Sequence, residues 1–129
     1  MRHIAFAPRF INKAGNNLIQ GKIHTIRQNY EWWKRFEGQE VALFTWNGKP
    51  YRSKQKIFCV KKIYHVQKLY FTNTFGLLWH ISVENMQKQI TKETFTKNDG
   101  FNTFDEVLEW FHDYPTCEMA ILHFTDFRY

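Results

Sequence analysis

The chain has 129 residues, a formal net charge of +6 and an aromatic content of 19%, including 13 phenylalanines. This length suits one domain, residues 1–129, that buries its core without disulfides or metal. No segment approaches the roughly twenty apolar residues that cross a bilayer, and the first residues lack the apolar run of a signal peptide. We therefore expect a cytoplasmic protein in which Cys59 and Cys117 are reduced and buried. The positive charge modestly favours a polyanionic partner such as RNA.

The first quarter of the chain predicts a strand, a helix and a second strand. Residues 3–6 form a short apolar strand, and the apolar positions of residues 9–20 recur at helical spacing. Residues 15–17, Gly-Asn-Asn, weaken this helix, so we expect a bend or two short pieces. Gly21 can adopt the left-handed conformation that ends a helix, and residues 24–27 have the β-branched character of a strand.

A hydroxyl and two cations lie close together at the start of this second strand. Thr25 and Arg27 point to one face, because alternate side chains of a strand share a face. His24 points to the other face, and Lys22 lies in the preceding turn, from which it can lean either way. Such a group is suited to an anion or a polarised carbonyl, since Arg offers a flat fork of donors and Lys a point charge. Taken alone, the pattern is more typical of an ordinary strand residue with two solvated cations.

The segment after this strand is rich in aromatic residues. Residues 28–37 predict a loop with a helical turn that ends at Gly38. Its aromatic side chains are Tyr30, Trp32, Trp33 and Phe36. They either cover the core or rim a pocket, because a Trp ring combines a large apolar surface with a polar N–H.

The middle of the chain predicts consecutive strands joined by short links. Residues 40–46 alternate and are rich in strand formers, and Asn47-Gly48 is a strong signal for a hairpin turn. We expect the return strand to begin at residues 50–52. Further strands are predicted at residues 56–64, 68–72 and 77–83. Residues 82–98 are polar and rich in lysine, and they predict a loop with some helix.

The end of the chain predicts a turn, a helix and a final strand. The turn spans residues 98–101 and is followed by a helix that Asn102 or Thr103 caps. Pro115 stops this helix, because proline cannot continue it. Residues 118–127 then alternate as the closing strand.

Together these elements indicate an α+β fold. Consecutive antiparallel strands need only short links, whereas a doubly wound fold needs a helix between successive strands, which the middle of the chain lacks. We therefore expect a small curved or closed, mostly antiparallel β-barrel, with an N-terminal helix and a helix before the last strand.

Short motifs stand in a distinctive order along nearly the whole chain. They are Phe6-x-Pro8-Arg9-Phe10, Gly21-Lys22-x-x-Thr25-Ile26-Arg27, Gly38-x-x-Val41-x-Leu43-Phe44-Thr45, Asp99-Gly100-Phe101 and Trp110-Phe111. In this order they resemble the ASCH domain family, which is similar to the PUA domain of RNA-modifying proteins. The resemblance implies a PUA-like barrel with flanking helices and a cleft that holds RNA or a nucleotide. Other members of the wider family are RNA binders or ribonucleases, so the resemblance leaves the chemistry open.

One bacterial branch of this family hydrolyses N4-acetylcytidine to cytidine and acetate with a Lys, a Thr and a Glu. The resemblance places these on Lys22, Thr25 and Asp99, the last of which is one methylene shorter than Glu. It implies Thr25 as nucleophile and Lys22 as base. Arg27 or backbone N–H groups would then hold the oxyanion, and Asp99 would be the acid. This chemistry requires a dry Lys22 with a lowered pKa, whereas a protonated Lys22 makes the site a clamp for a phosphate or a carbonyl.

The expected contacts to a nucleic acid or nucleotide share a positive charge, a hydroxyl or a stacking ring. They are Arg9, Lys22, Thr25, Arg27, Trp32, Trp33 and Trp79. We expect no cofactor and no metal, because no two histidines or cysteines stand at a ligand spacing. Three functions remain open: an RNA- or nucleotide-binding protein, an amidohydrolase acting on N4-acetylcytidine-like nucleosides, and a protein-interaction module.

Overall fold

Strands make up most of the regular structure in this computed structural model, which describes residues 1–74, 78–84, 88–112 and 118–129. The strands are β1 (Arg2–Ala5), β2 (His24–Gln28), β3 (Glu40–Trp46), β4 (Gln55–Lys62), β5 (His65–Thr74), β6 (Leu78–Val83), β7 (Lys88–Ile90) and β8 (Glu118–His123). The helices are short: a 3₁₀ helix (Pro8–Phe10), α1 (Tyr30–Lys34), α2 (Lys92–Asn98) and α3 (Phe104–Trp110). The predicted α+β class is confirmed. No helix in these ranges is long and apolar enough to cross a membrane.

The strands form two sheets. In the smaller sheet β1 pairs in parallel with β3, and β3 pairs antiparallel with β4. The larger sheet has the order β2-β8-β5-β6-β7 and is antiparallel, so the last strand lies between β2 and β5. The predicted antiparallel pairing is therefore confirmed, but within the described ranges the strands do not close into one barrel.

The helix predicted for residues 9–20 is wrong except for one 3₁₀ turn, Pro8–Phe10. Beyond that turn the chain folds back on itself, and Ile11 pairs with Leu18 in an isolated antiparallel bridge. The side-chain oxygen of Asn12 accepts a hydrogen bond from the backbone four residues later, a local bond that competes with helix formation. The asparagine-rich turn therefore outweighs the helical spacing of the apolar residues.

The predicted β3–β4 hairpin is confirmed, but its loop is longer than a two-residue turn. The backbone N–H of Asn47 donates to the carbonyl of Lys54, and β4 begins only after this residue instead of at residues 50–52. Pro50 has no N–H for a strand partner, which delays the return strand. Within the loop, Tyr51 adopts a left-handed backbone with a φ of 62°.

The other predicted strands are present with shifted ends. β1, β2 and β3 overlap residues 3–6, 24–27 and 40–46, and β4, β5 and β6 overlap residues 56–64, 68–72 and 77–83. The polar segment 82–98 contains β7 and α2, and the Thr91 side chain caps α2. Cys59 on β4 is a partly buried free thiol, and Cys117 lies outside the described residues.

α3 begins where the sequence predicts because Thr103 caps it. The Thr103 side chain accepts from the backbone of Glu106, and the Glu106 side chain accepts from the backbone of Thr103, which forms a capping box. The predicted stop at Pro115 lies outside the described residues. β8 ends at His123 and not at residue 127.

A buried apolar cluster joins both sheets to the helices. β8 is buried on both faces, with exposures of at most 1% for Met119, Ala120, Ile121 and Leu122. Phe95 of α2 and Val107 of α3 pack into the same cluster. Two histidines, His24 and His123, are also fully buried, with their ring centroids 5.5 Å apart. The turn before β2 and the end of α2 therefore meet at the edge of a dry core.

Candidate functional site

Lys22 and Asp99 form a buried ion pair where the turn before β2 meets the end of α2. The Ile23 backbone N–H donates to the Asn98 carbonyl at 2.8 Å and holds the two segments together. The Lys22 ammonium donates to the carbonyl oxygen of Asp99 at 2.7 Å and to its Oδ1 at 3.1 Å. The two side chains are only 2% and 3% exposed. The structure thus brings these two predicted site residues together.

His24 hydrogen-bonds to the same carboxylate oxygen of Asp99 that Lys22 contacts. Its Nδ1 lies 3.1 Å from Asp99 Oδ1, and its Nε2 lies 2.6 Å from the Tyr129 hydroxyl. Because a carboxylate only accepts hydrogen bonds, Nδ1 carries the proton and Nε2 accepts from Tyr129. Asn98 donates to the same hydroxyl at 3.1 Å. His24 therefore orients Asp99, and through it Lys22, from behind the strand.

Gly100 lets the backbone pass close to Lys22. Its φ of +85° is left-handed, and a Cβ built there would lie 3.1 Å from Lys22 Cβ and 3.2 Å from Ile19 Cδ1. Any larger residue would strain the backbone and push against Lys22. The turn at residues 99–101 therefore fixes the position of the ammonium group.

A small cavity of about 40 Å³, which we call the Lys22 pocket, lies beside the ion pair. Its polar lining comes from Lys22, Thr25, Arg27 and Asp99. Its aromatic lining includes Phe6, Phe10, Phe101 and Trp110. Thr25 is only 3% exposed. A cavity of this volume holds about two or three waters, or one polar group of a ligand, but not a whole base.

Two arginines brace the walls of the Lys22 pocket. The Arg9 guanidinium lies 5.0 Å from the ring centroid of Phe101 and 5.9 Å from that of Trp110. It therefore sits on the outer rim of the pocket. Arg27 donates to the Ala5 carbonyl oxygen at 2.6 Å, which fixes its guanidinium beside the cavity. Arg9 also forms an ion pair with Glu106 at 2.9 Å. The charges of both predicted arginines act on Lys22 and lower its pKa.

Burial dominates the electrostatics of the site. Desolvation lowers the pKa of Lys22 below its ordinary value, although Asp99 acts in the opposite direction, and the charge of Arg27 lowers it further. Burial alone would raise the pKa of Asp99, but Lys22 and His24 outweigh it and hold this pKa below its ordinary value. Burial also lowers the pKa of His24. At neutral pH the site therefore holds an ionised Asp99, a neutral His24 and a Lys22 that binds its proton less tightly than in water.

The tryptophans predicted as stacking surfaces lie away from the Lys22 pocket. Trp32 packs on Trp33 with 4.7 Å between ring centroids, and the Arg2 guanidinium lies 4.3 Å from the Trp32 ring. Trp33 belongs to the buried core, and Trp79 is partly buried and packs against that core. The ring that reaches the pocket is Trp110, which is 42% exposed. The sequence did not assign Trp110 to the site, although it lies outside the apolar stripe that Phe104, Val107, Leu108 and Phe111 form in this part of the chain.

We compared the chain with known protein families, curated proteins and solved structures. No family model, no curated protein and no solved structure matches the chain. Among the described residues, no three His, Cys, Asp or Glu side chains are grouped as a metal ion would require. The interpretation of the Lys22 pocket therefore depends on its own residues.

Proposed function

We propose that the protein binds a nucleotide of RNA, or a free nucleoside or nucleotide, in the Lys22 pocket, as an ASCH-type domain with a PUA-like arrangement of strands. The observation that carries this proposal is the convergence of Lys22, Thr25 and Arg27 on one cavity with an aromatic wall. Nucleotides present acceptors at base edges and phosphates, and flat faces for stacking. A cationic floor beside aromatic rings matches both features.

The floor of the pocket offers donors to an acceptor group. An ammonium has three N–H donors, and in the described part of the chain Lys22 donates to two oxygens, both of Asp99. One donor of Lys22 is thereby left for a ligand, together with the Thr25 hydroxyl. A carbonyl or phosphate oxygen bound there would lie in a low-dielectric cavity, where such hydrogen bonds are strong.

The aromatic wall supports the ring of the ligand. At about 40 Å³ the pocket is far smaller than the roughly 300 Å³ of a typical small-molecule site. Only an edge group enters it, and the base itself lies against Trp110, the exposed ring at the mouth. Because Trp110 is 42% exposed, its ring is accessible to a base at the mouth of the pocket.

Isothermal titration calorimetry with each ribonucleoside 5′-monophosphate and with short single-stranded RNA tests this proposal. We expect an affinity that falls with added salt, because phosphate contacts release counterions. Thr25→Val keeps the β-branched shape but removes the hydroxyl, so we expect about a tenfold loss of affinity. Thr45→Val, on β3 and outside the pocket, is the matched control. No binding at low salt, or equal affinity in both variants, would contradict the proposal.

A second candidate, an amidohydrolase acting on N4-acetylcytidine, is favoured by the lowered pKa of the buried Lys22. A neutral Lys22 accepts the Thr25 proton while Oγ1 attacks the acyl carbon. The bond from that carbon to N4 then breaks as N4 takes this proton from Lys22, and the acetyl group stays on Thr25 as an ester. Water hydrolyses this ester to acetate and restores the hydroxyl. An ionised Asp99 donates no proton, so its part in this scheme is to hold Lys22.

Incubation with N4-acetylcytidine tests the second candidate. We expect equimolar cytidine and acetate from the wild type and from Thr45→Val, at a rate that rises with pH as Lys22 loses its proton. Thr25→Val and Lys22→Met should release no cytidine. Binding without cytidine release rejects the enzyme and keeps the binding proposal, and activity that survives Thr25→Val rejects Thr25 as nucleophile.

A further inference from the structure

The net charge of the chain is concentrated in one segment. Residues 41–83 contain no Asp or Glu, and their basic residues are Lys49, Arg52, Lys54, Lys56, Lys61, Lys62 and Lys68. The rest of the chain carries 11 basic and 12 acidic residues, so the seven cations of this segment account for the whole positive net charge. All of these cations except Lys68 belong to the β3–β4 hairpin.

The basic side chains near the hairpin loop face solvent. Lys49, Arg52, Lys54 and Lys56 are exposed. In the described part of the chain, none of the four forms an ion pair with a carboxylate. Clustered cations without counterions create a positive potential that attracts a polyanion. We therefore expect a positive electrostatic potential around the hairpin loop.

Aromatic rings lie along the smaller sheet and reach the hairpin loop at Tyr51, and the cations that line the same groove are Arg2 and Arg27. The Phe44 ring centroid lies 6.1 Å from that of His3 and 5.1 Å from that of Trp46. Trp46 in turn lies 5.1 Å from Tyr51 in the hairpin loop. These rings line an open groove of about 530 Å³, which we call the hairpin groove. Its volume falls within the range of sites that hold organic ligands.

Tyr51 combines an exposed ring with a strained backbone conformation. It is 89% exposed and adopts a left-handed φ of 62°, a conformation that is unfavourable for a bulky residue. So exposed a ring gains little from packing. Strained residues of this kind cluster at binding sites, where the surrounding structure holds them ready for a ligand.

Arg27 connects the hairpin groove to the Lys22 pocket. Its side chain lines both cavities. Its guanidinium donates to the carbonyl of Ala5, which also lines both. The two cavities are therefore adjacent at Arg27 and Ala5.

We propose that the hairpin groove binds single-stranded RNA continuing from the nucleotide in the Lys22 pocket, and this extension rests on the function proposed for that pocket. Bases stack on the rings of Tyr51 and Trp46, and phosphates lie near Arg2 and Arg27 in the groove and continue toward the exposed cations of the loop. Stacking rings with flanking cations are the combination by which proteins hold single strands with little sequence preference. The hairpin groove thus makes a polynucleotide, and not only a mononucleotide, the ligand of this protein.

Fluorescence anisotropy with a labelled oligouridine of about twelve nucleotides tests the aromatic part of the proposal. Tyr51→Gly removes the ring and also relieves the left-handed strain, so this variant should be at least as stable as the wild type. We expect it to bind the oligouridine at least about fivefold more weakly. Unchanged affinity in a folded Tyr51→Gly protein would remove the stacking role.

Salt dependence tests the charged part of the proposal. A triple variant removes the loop cations: Lys49→Gln, Arg52→Gln and Lys54→Gln. Its control makes the same change in charge elsewhere on the exposed surface: Lys13→Gln, Lys88→Gln and Lys97→Gln. We expect the first variant, but not the second, to lower the slope of log affinity against log salt by about 2. Equal slopes in the two variants would overturn the proposal.

A ribonucleoside monophosphate separates this proposal from the function of the Lys22 pocket. We expect both hairpin variants to bind the monophosphate as the wild type does. If the wild type binds oligouridine no more tightly than the monophosphate, the groove proposal fails and the pocket proposal stands. If oligouridine binding depends on the hairpin while the monophosphate does not bind, the pocket proposal fails. Ile57 and Val60 are also exposed on β4. If the hairpin variants keep the RNA affinity of the wild type but lose a dimer that the wild type forms in sedimentation, this surface binds a second copy of the chain and the proposal is wrong.

Discussion

Lys22 and Asp99 lie 77 positions apart in the chain, yet their side chains form a 3.1 Å ion pair that water scarcely reaches. Transferring two charges out of water is costly, and their mutual attraction offsets that cost only while both partners are present. The pair therefore ties the turn before β2 to the end of α2. It also supplies the charge on the floor of the Lys22 pocket.

Loss of the Asp99 charge should strongly destabilise the protein. Asp99→Asn leaves the Lys22 ammonium buried without a counterion, and we expect the free energy of unfolding to fall by about 3–5 kcal/mol in urea titrations. Asp126→Asn removes an exposed carboxylate and should change stability little. Adding Lys22→Met to Asp99→Asn should recover part of the loss, because no unpaired charge remains. Equal stability losses at the two aspartates would show that the ion pair is not buried in solution.

Gly100 should tolerate a methyl group less well than another left-handed glycine. Gly15 has a φ of +75° with nothing within 4 Å of a built Cβ, so Gly15→Ala measures backbone strain alone. Gly100→Ala adds close contacts with Lys22, and we expect it to cost about 1 kcal/mol more than Gly15→Ala in urea unfolding. It should also weaken nucleotide binding, whereas Gly15→Ala should not. Identical effects of the two substitutions would argue against close packing at Lys22.

Buried His123 makes the stability depend on pH. Burial lowers its pKa from 6.5 to about 3, and electrostatic interactions with His24, His65 and Arg128 act in the same direction. Below about pH 6.5 the unfolded chain takes up a proton at this position that the folded protein does not. The unfolded state therefore binds more protons, and the free energy of unfolding falls with decreasing pH by up to about 1.4 kcal/mol per pH unit.

Urea unfolding between about pH 7 and about pH 5.5, above the range in which most carboxylates titrate, measures this dependence. The Nε2 of His123 lies 2.9 Å from Gln67 Oε1, and His123→Gln keeps a donor for that oxygen while removing the titration. We expect a shallower pH dependence in His123→Gln than in the wild type. His3→Gln, at an exposed position, should leave the wild-type slope. A slope that His123→Gln does not change would mean that this ring is not held neutral.

Much of the local structure could be predicted because local rules govern it. The alternation of β2 places Thr25 on the pocket, and the capping box at Thr103 starts α3. The helix predicted for residues 9–20 was wrong, because side-chain hydrogen bonds of asparagine compete with helical ones at close range. The spacing of apolar residues, from which the helix was predicted, carries no information about these hydrogen bonds.

The site itself could be predicted only in part. The pairing of Lys22 with Asp99 followed from a family resemblance and not from spacing, since nothing local relates residues so far apart in sequence. Trp110 reaches the Lys22 pocket only because α3 packs beside it, whereas the more prominent Trp32 and Trp33 pack on each other. The lack of acidic residues in 41–83 is visible in the sequence, but its coincidence with a row of rings appears only in the fold.

Trp110, and not Trp32, should support the base of a bound nucleotide. Stacking of a base on an aromatic ring contributes about 1–3 kcal/mol, so Trp110→Ala should weaken binding of a ribonucleoside monophosphate at least about fivefold. Trp32→Ala removes a ring of the same kind from outside the pocket and should leave that affinity unchanged. Calorimetric titration of both variants makes the comparison. If Trp32→Ala weakens binding and Trp110→Ala does not, the base is held by the aromatic cluster of α1 and not at the Lys22 pocket.

Amide ¹H–¹⁵N correlation spectra recorded during titration with a ribonucleoside 5′-monophosphate test the central claim most directly. If the Lys22 pocket holds the nucleotide, the shifts should change at residues 22–27 and 99–101, and the changes should diminish in Thr25→Val. Shift changes confined to other parts of the protein, or none as the ligand approaches millimolar concentration, would contradict the claim that this pocket binds a nucleotide.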